Sequence, residues 1–115
     1  MLTIYHNPRC SKSREALALI TDHGQDVTIV EYLKNPPSAA ELTEIINKLG
    51  IHARALLRTK EPEYAELGLA DTSLPESVLI DAMVTQPKLI ERPIVIDGDK
   101  AVIGRPSTNV LNLLT

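Results

Sequence analysis

The sequence predicts a single α/β domain spanning residues 1–115: a four-stranded mixed sheet with helices on both faces and a helical insertion between strands 2 and 3. Three observations predict it. The element order reads β-α-β, then several helices, then two short strands around Asp97-Gly98-Asp99-Lys100, then a last helix. The opening β-α-β demands parallel strands joined by a helical crossover. The late strand pair reads as a hairpin, which adds antiparallel strands to the same small sheet. A chain of 115 residues that is 43% hydrophobic is the right size for one core.

Each element has its own signal. Leu2-Thr3-Ile4-Tyr5 is the first strand. Ser11 to His23 reads as a helix, with Ala16, Leu17 and Ile20 on one face and Gly24 as its stop. Val27 to Val30 is a β-branched second strand, with Tyr32 and Leu33 as its extension, and Asn35-Pro36-Pro37 breaks the chain. Ser38 and Glu41 form a capping box. Leu42, Ile45, Ile46 and Leu49 then follow at helical spacing, up to Gly50. His52 to Leu57 and Glu61 to Leu67 read as short helical pieces. Ser73 and Glu76 suggest a second capping box, with Pro75 in the first turn of a helix that carries Leu79, Ile80 and Met83 and closes at Pro87. Ile94-Val95-Ile96 and Ala101-Val102-Ile103 form the hairpin around a four-residue loop. Arg105-Pro106 opens the last helix, which turns Val110, Leu111 and Leu114 inward. This arrangement describes a thioredoxin-like domain.

Bulk properties exclude several functions. A net charge of −3 is wrong for a nucleic-acid surface, and with no Trp and no Phe a base-stacking platform is not expected. No apolar run reaches membrane-spanning length, and the N-terminus lacks a basic stretch followed by an apolar one. One Cys cannot close an internal disulfide, so the cytoplasm is the simplest compartment. One Cys and three scattered His offer no zinc spacing.

The most function-like stretch is Tyr5-His6-Asn7-Pro8-Arg9-Cys10-Ser11-Lys12-Ser13-Arg14. It places the lone thiol, Cys10, at a strand-to-helix turn, where unpaired N–H groups and the helix dipole favour thiolate and attract anions. Arg9, Lys12 and Arg14 surround it in sequence. A lone Cys is often a small buried hydrophobe, but a polar, basic turn is a poor place for a core residue. Ser13 completes Cys-x-x-Ser; its hydroxyl either hydrogen-bonds the thiolate or is an ordinary first-turn serine. His6 either tunes the thiolate, as a cation or a donor, or is a satisfied strand-end histidine. Pro8 pushes Asn7 toward an extended conformation, and the Asn7 amide holds the loop or touches substrate. Arg58, Arg92 and Arg105 each stand at an element boundary rather than on a periodic polar face, although surface arginines are ordinarily solvated.

With these residues in hand, the chain resembles the glutaredoxin-linked arsenate reductase family over nearly its whole length. His6-Asn7-Pro8 followed by Cys10, Arg54-Ala55-Leu56-Leu57-Arg58, Arg92-Pro93-Ile94-Val95 and Arg105-Pro106-Ser107 match in order and spacing. Arg9-Cys10-Ser11-Lys12-Ser13-Arg14 looks like the short, chromosomal-type branch. The resemblance implies a thioredoxin-like fold, a catalytic Cys10 supported by His6, an oxyanion site at Arg58, Arg92 and Arg105, and a cis-proline at Pro93. Asn7, Ser13 and Arg14 are expected to support this site. The resemblance also implies arsenate as substrate, glutathione as co-substrate and glutaredoxin as partner, with no bound cofactor, and a monomer is expected. Two other activities fit a fold of this type: a monothiol glutathione-linked oxidoreductase, and a non-enzymatic adaptor that regulates transcription. The first needs Cys10 but not three arginines. The second tends to carry Cys-x-x-Cys, which Ser13 and Arg105 count against.

Overall fold

A computed structural model describes residues 2–114. The strands are β1 (Leu2–Tyr5), β2 (Val27–Val30), β3 (Ile94–Asp97) and β4 (Lys100–Ile103). The helices are α1 (Ser11–Asp22), α2 (Ala39–Leu49), α3 (Ala53–Leu56), α4 (Pro62–Glu66), α5 (Glu76–Thr85) and α6 (Leu111–Leu114), with 3-10 turns at Pro87–Leu89 and Ser107–Val110. The predicted mixed sheet is present, in the order β2-β1-β3-β4. β1 pairs parallel with β2 and antiparallel with β3, and β3 pairs antiparallel with β4. Among the described residues, no helix is long and apolar enough to cross a membrane.

The fold divides into two compact units. One comprises the chain up to Asn35 and from Arg92 onward; the other is Pro36–Glu91. In the first, Leu2 and Ile4 of β1, Ala16 and Ile20 of α1, Val95 of β3 and Val110 form one buried cluster, with Leu113 and Leu114 packed against it. The period-2 pattern of β1 and the helical spacing of α1 aim these side chains at one another. Gly104 lies where backbone and core meet. A Cβ there would stand 2.8 Å from Pro93 Cγ and 3.3 Å from Ala16 Cβ.

In the second unit, α5 packs against α2 and α3. The Ser38–Glu41 capping box is complete in both directions, and Gly50 ends α2 at φ 69°. Arg54 ties the following loop together, donating from Nη1 to the Leu69 carbonyl (2.8 Å) and from Nη2 to the Asp71 carbonyl (2.8 Å).

Three local expectations are corrected. Ser73 does not cap α5: Pro75 is the N-cap residue, and no side chain caps it. The Ser73 hydroxyl and N–H both donate to Asp71 Oδ1, while the Glu76 carboxylate accepts the Ala53 N–H. The β3-β4 loop is one pair tighter than expected, because Asp97 pairs with Lys100 and Gly98 takes the positive φ (61°) that a two-residue turn needs. Tyr32 and Leu33 do not extend β2. The chain turns after Val30, burying Tyr32 and leaving Leu33 exposed.

Candidate active site

The β1-α1 loop is held from within. The Cys10 N–H donates to the Asn7 carbonyl (3.0 Å), the Arg9 N–H to Asn7 Oδ1 (3.0 Å), and Arg14 Nη1 to the Pro8 carbonyl (2.9 Å). Asn7 and Arg14 therefore shape the loop. Cys10 is the N-cap residue of α1, in an extended conformation with φ −94° and ψ 122°. Its side chain caps nothing, and no acidic residue stands in the first turn. The positive end of α1 is thus left without a local carboxylate, which favours an anion there.

The thiol is more enclosed than a basic turn suggests: Cys10 is only 8% exposed. It stands outside the apolar cluster of this unit. The polar neighbour of its sulfur is Arg105, whose Nη1 donates to Sγ at 3.7 Å and to the Arg92 carbonyl at 3.3 Å. The cations adjacent in sequence turn elsewhere, Lys12 to Glu15 (3.6 Å) and Arg14 to Pro8.

Behind the loop lies a buried polar pair. His6 is 6% exposed and Ser13 is fully buried, with His6 Nδ1 2.6 Å from Ser13 Oγ. The same oxygen accepts the Asn7 N–H at 3.0 Å. The hydroxyl has one hydrogen and two acceptor positions, so besides accepting from Asn7 it either donates to Nδ1 or accepts from it, according to the imidazole tautomer. Burial lowers the His6 pKa from its ordinary 6.5; the Glu31 charge raises it less, and the Arg14 charge lowers it further. Ser13 is therefore a partner of His6 and of the loop backbone rather than of the thiol. Near neutral pH, His6 is a neutral imidazole and not a cation.

Arg92 precedes Pro93 through a cis peptide bond, as the sequence resemblance implied, and Arg105-Pro106 is also cis. The Pro93 carbonyl accepts the Gly104 N–H (2.8 Å), joining the two Arg-Pro segments through the sheet. Arg58 belongs to the second unit, just beyond α3. Its Nη1 donates to Glu61 Oε1 at 2.7 Å, and its Nε lies 3.7 Å from Glu91 Oε1. Its backbone is fixed by the Leu57-Ile90 bridge and by its N–H, which donates to the Leu89 carbonyl (2.8 Å). Among the described residues, no group of three His, Cys, Asp or Glu side chains is placed to hold a metal ion.

Comparison with known proteins bears on this arrangement directly. Residues 5–113 match the ArsC family. The chain belongs to that family. Relatives cover almost all of it: an Escherichia coli K12 protein named "Uncharacterized protein YfgD" is 54% identical over 112 residues (96% of this chain, 94% of that one). An "Arsenate reductase" of Neisseria meningitidis serogroup A is 46% identical over 110 residues (95% and 94%). The solved structure described as "Arsenate reductase from Vibrio cholerae" superposes with a TM-score of 0.94 at 46% identity, covering 96% of this chain and 95% of that one.

In this ArsC family chain, the first unit holds His6, Asn7, Cys10, Ser13, Arg14, Arg92, Pro93 and Arg105, and Arg58 is in the second. Sequence reasoning missed Asn109. Its Nδ2 donates to the carbonyls of Ile103 (3.1 Å) and Arg105 (3.2 Å), pinning the segment that presents the Arg105 guanidinium to sulfur. An amide four residues after an Arg-Pro step is the only signal the sequence offers for this, and it is a weak one.

Proposed function

We propose that the chain is an arsenate reductase coupled to glutathione and glutaredoxin. The observation that carries this reading is the Arg105 guanidinium 3.7 Å from the Cys10 sulfur at the positive end of α1, in an ArsC family chain. The Cys10 thiolate attacks arsenic(V) and displaces one oxygen as water, forming a sulfur–arsenic bond. Arg105 and Arg92, with Arg58 added by family resemblance, offset the charge on the remaining oxygens through charge-assisted hydrogen bonds. Glutathione supplies the second sulfur. The two sulfurs together give up two electrons and join as a Cys10–glutathione disulfide, while arsenic leaves as arsenite. A glutaredoxin thiol then takes the glutathione and frees Cys10. This scheme suits a chain with one cysteine, which has no second thiol to close an internal disulfide.

The test is arsenite formation from arsenate with glutathione, with and without glutaredoxin, for the wild-type chain and Cys10→Ser. Turnover should need both reductants and vanish in Cys10→Ser. Mass spectrometry of the enzyme without glutaredoxin should show one glutathione on Cys10. Full turnover with thioredoxin and no glutathione would overturn the scheme.

A further inference from the structure

We propose that Glu61 and Glu91 compete internally for the Arg58 guanidinium, and so set how tightly the site holds a tetrahedral oxyanion. The inference rests on the reading of Arg58 as an oxyanion ligand. Two carboxylates and one guanidinium form a cluster of net charge −1, at a residue whose proposed role is to bind an anion. Glu61 takes a short charge-assisted hydrogen bond from Nη1 (2.7 Å), and Glu91 stands 3.7 Å from Nε. The three side chains are 25%, 23% and 28% exposed, so the cluster is less screened than a surface pair.

The carboxylates do not reach this guanidinium by chance excursions of surface chains. The Glu61 N–H donates to the Arg58 carbonyl (3.3 Å), and the Glu91 N–H to the Leu56 carbonyl (2.9 Å). Both acids are therefore carried on backbone that is hydrogen-bonded to the segment bearing Arg58. Glu61 also starts α4, with Pro62 as its first residue, which fixes the direction of the chain at that point.

A guanidinium binds an oxyanion best through two parallel N–H groups. Glu61 occupies Nη1, so an anion on the Nη1–Nη2 edge must displace it, and one on the Nε–Nη2 edge meets the Glu91 carboxylate beside Nε. The apparent affinity is then the intrinsic affinity reduced by the fraction of Arg58 that Glu61 has released. Removing the carboxylate charge should tighten anion binding. Most mutations around an anion site do the reverse.

Inorganic phosphate is the probe, since it shares the shape and charge of arsenate and is not reduced. Its dissociation constant is measured by calorimetry for the wild-type chain, Glu61→Gln, Glu91→Gln, Arg58→Ala and the Arg58→Ala/Glu61→Gln double variant, with thermal unfolding of each. Glu61→Gln should bind phosphate about threefold to tenfold more tightly, the scale of one partly exposed charge-assisted bond. Glu91→Gln should give a smaller gain in the same direction. The Glu61→Gln gain should disappear in the Arg58→Ala background, whereas a general charge effect would persist there. Unchanged or weaker binding in Glu61→Gln, with weaker binding in Arg58→Ala, overturns the competition and leaves the Arg58 reading standing. Unchanged binding in Arg58→Ala removes that reading and the competition with it. Should Arg58→Ala not fold, the two Gln variants decide: tighter binding supports the proposal and no change overturns it.

Discussion

Arg105 Nη1 lies 3.7 Å from Cys10 Sγ, although the two residues are 95 positions apart in the chain. The contact joins the N-cap of α1 to the segment that follows β4. Arg105→Ala should lower kcat/KM for arsenate reduction by roughly tenfold or more, the worth of one charge-assisted hydrogen bond. Arg105→Lys keeps the charge but not the planar fork, so it should retain part of the activity. Initial rates of arsenite formation check both; wild-type rates in Arg105→Ala would remove this residue from the mechanism.

Ser13→Ala tests the buried pair. It leaves His6 Nδ1 and the Asn7 N–H without their shared partner, at a cost of about 1–3 kcal/mol of folding stability. A serine serving only the thiol would give lost activity at unchanged stability. Urea unfolding of the variant separates the two roles.

The lowered pKa of His6 gives stability a pH slope of known sign. The unfolded chain takes a proton at His6 near its ordinary 6.5, and the folded chain only at lower pH. The unfolded state therefore binds more protons as pH falls below about 6.5, and stability declines there until the folded pKa is passed. Unfolding midpoints measured from pH 8 down to pH 5 should show this decline, and His6→Gln should flatten it. Glu41 and Asp71 have pKa values lowered by hydrogen bonds from Ser38 and Ser73, so their contributions fade in a separate, more acidic window, below their ordinary 4.5 and 3.8.

Gly104→Ala should destabilise by about 1–3 kcal/mol through overpacking. The new methyl would meet the Pro93 ring at 2.8 Å, and a proline ring has no rotamer in which to retreat. A melting temperature within a degree of wild type would show that the Arg-Pro loop yields more easily than this contact implies.

What the sequence made legible was local. Ser38 and Glu41 need only each other, and their capping box is present as read. Ser73 and Glu76 carry the same spacing but found outside partners, Asp71 for the serine and the Ala53 N–H, 23 positions away, for the glutamate. No periodicity reports such a capture. β2 stops at Val30, whose carbonyl accepts the His6 N–H, and Tyr32 turns inward beyond it; both follow from tertiary contacts. At the site, helix-end chemistry and family motifs pointed to Cys10 and the arginines. The partners of those groups were hidden. Ser13 bonds His6, Arg58 is held by two carboxylates, and Asn109 braces the Arg105 loop, all through folding across the chain.

The discontinuity of the first unit bears on the order of synthesis. Its sheet sets Leu2 opposite Asp97, so β1 has no antiparallel neighbour until the chain has emerged past residue 97. The contiguous Pro36–Glu91 segment can gather its own helices earlier, because its contacts lie closer together in sequence. A nascent chain that has emerged only as far as Glu91 carries Cys10 but lacks both Arg92 and Arg105. The guanidinium that touches the sulfur lies beyond that point, so the nucleophile acquires this neighbour only once residue 105 has emerged.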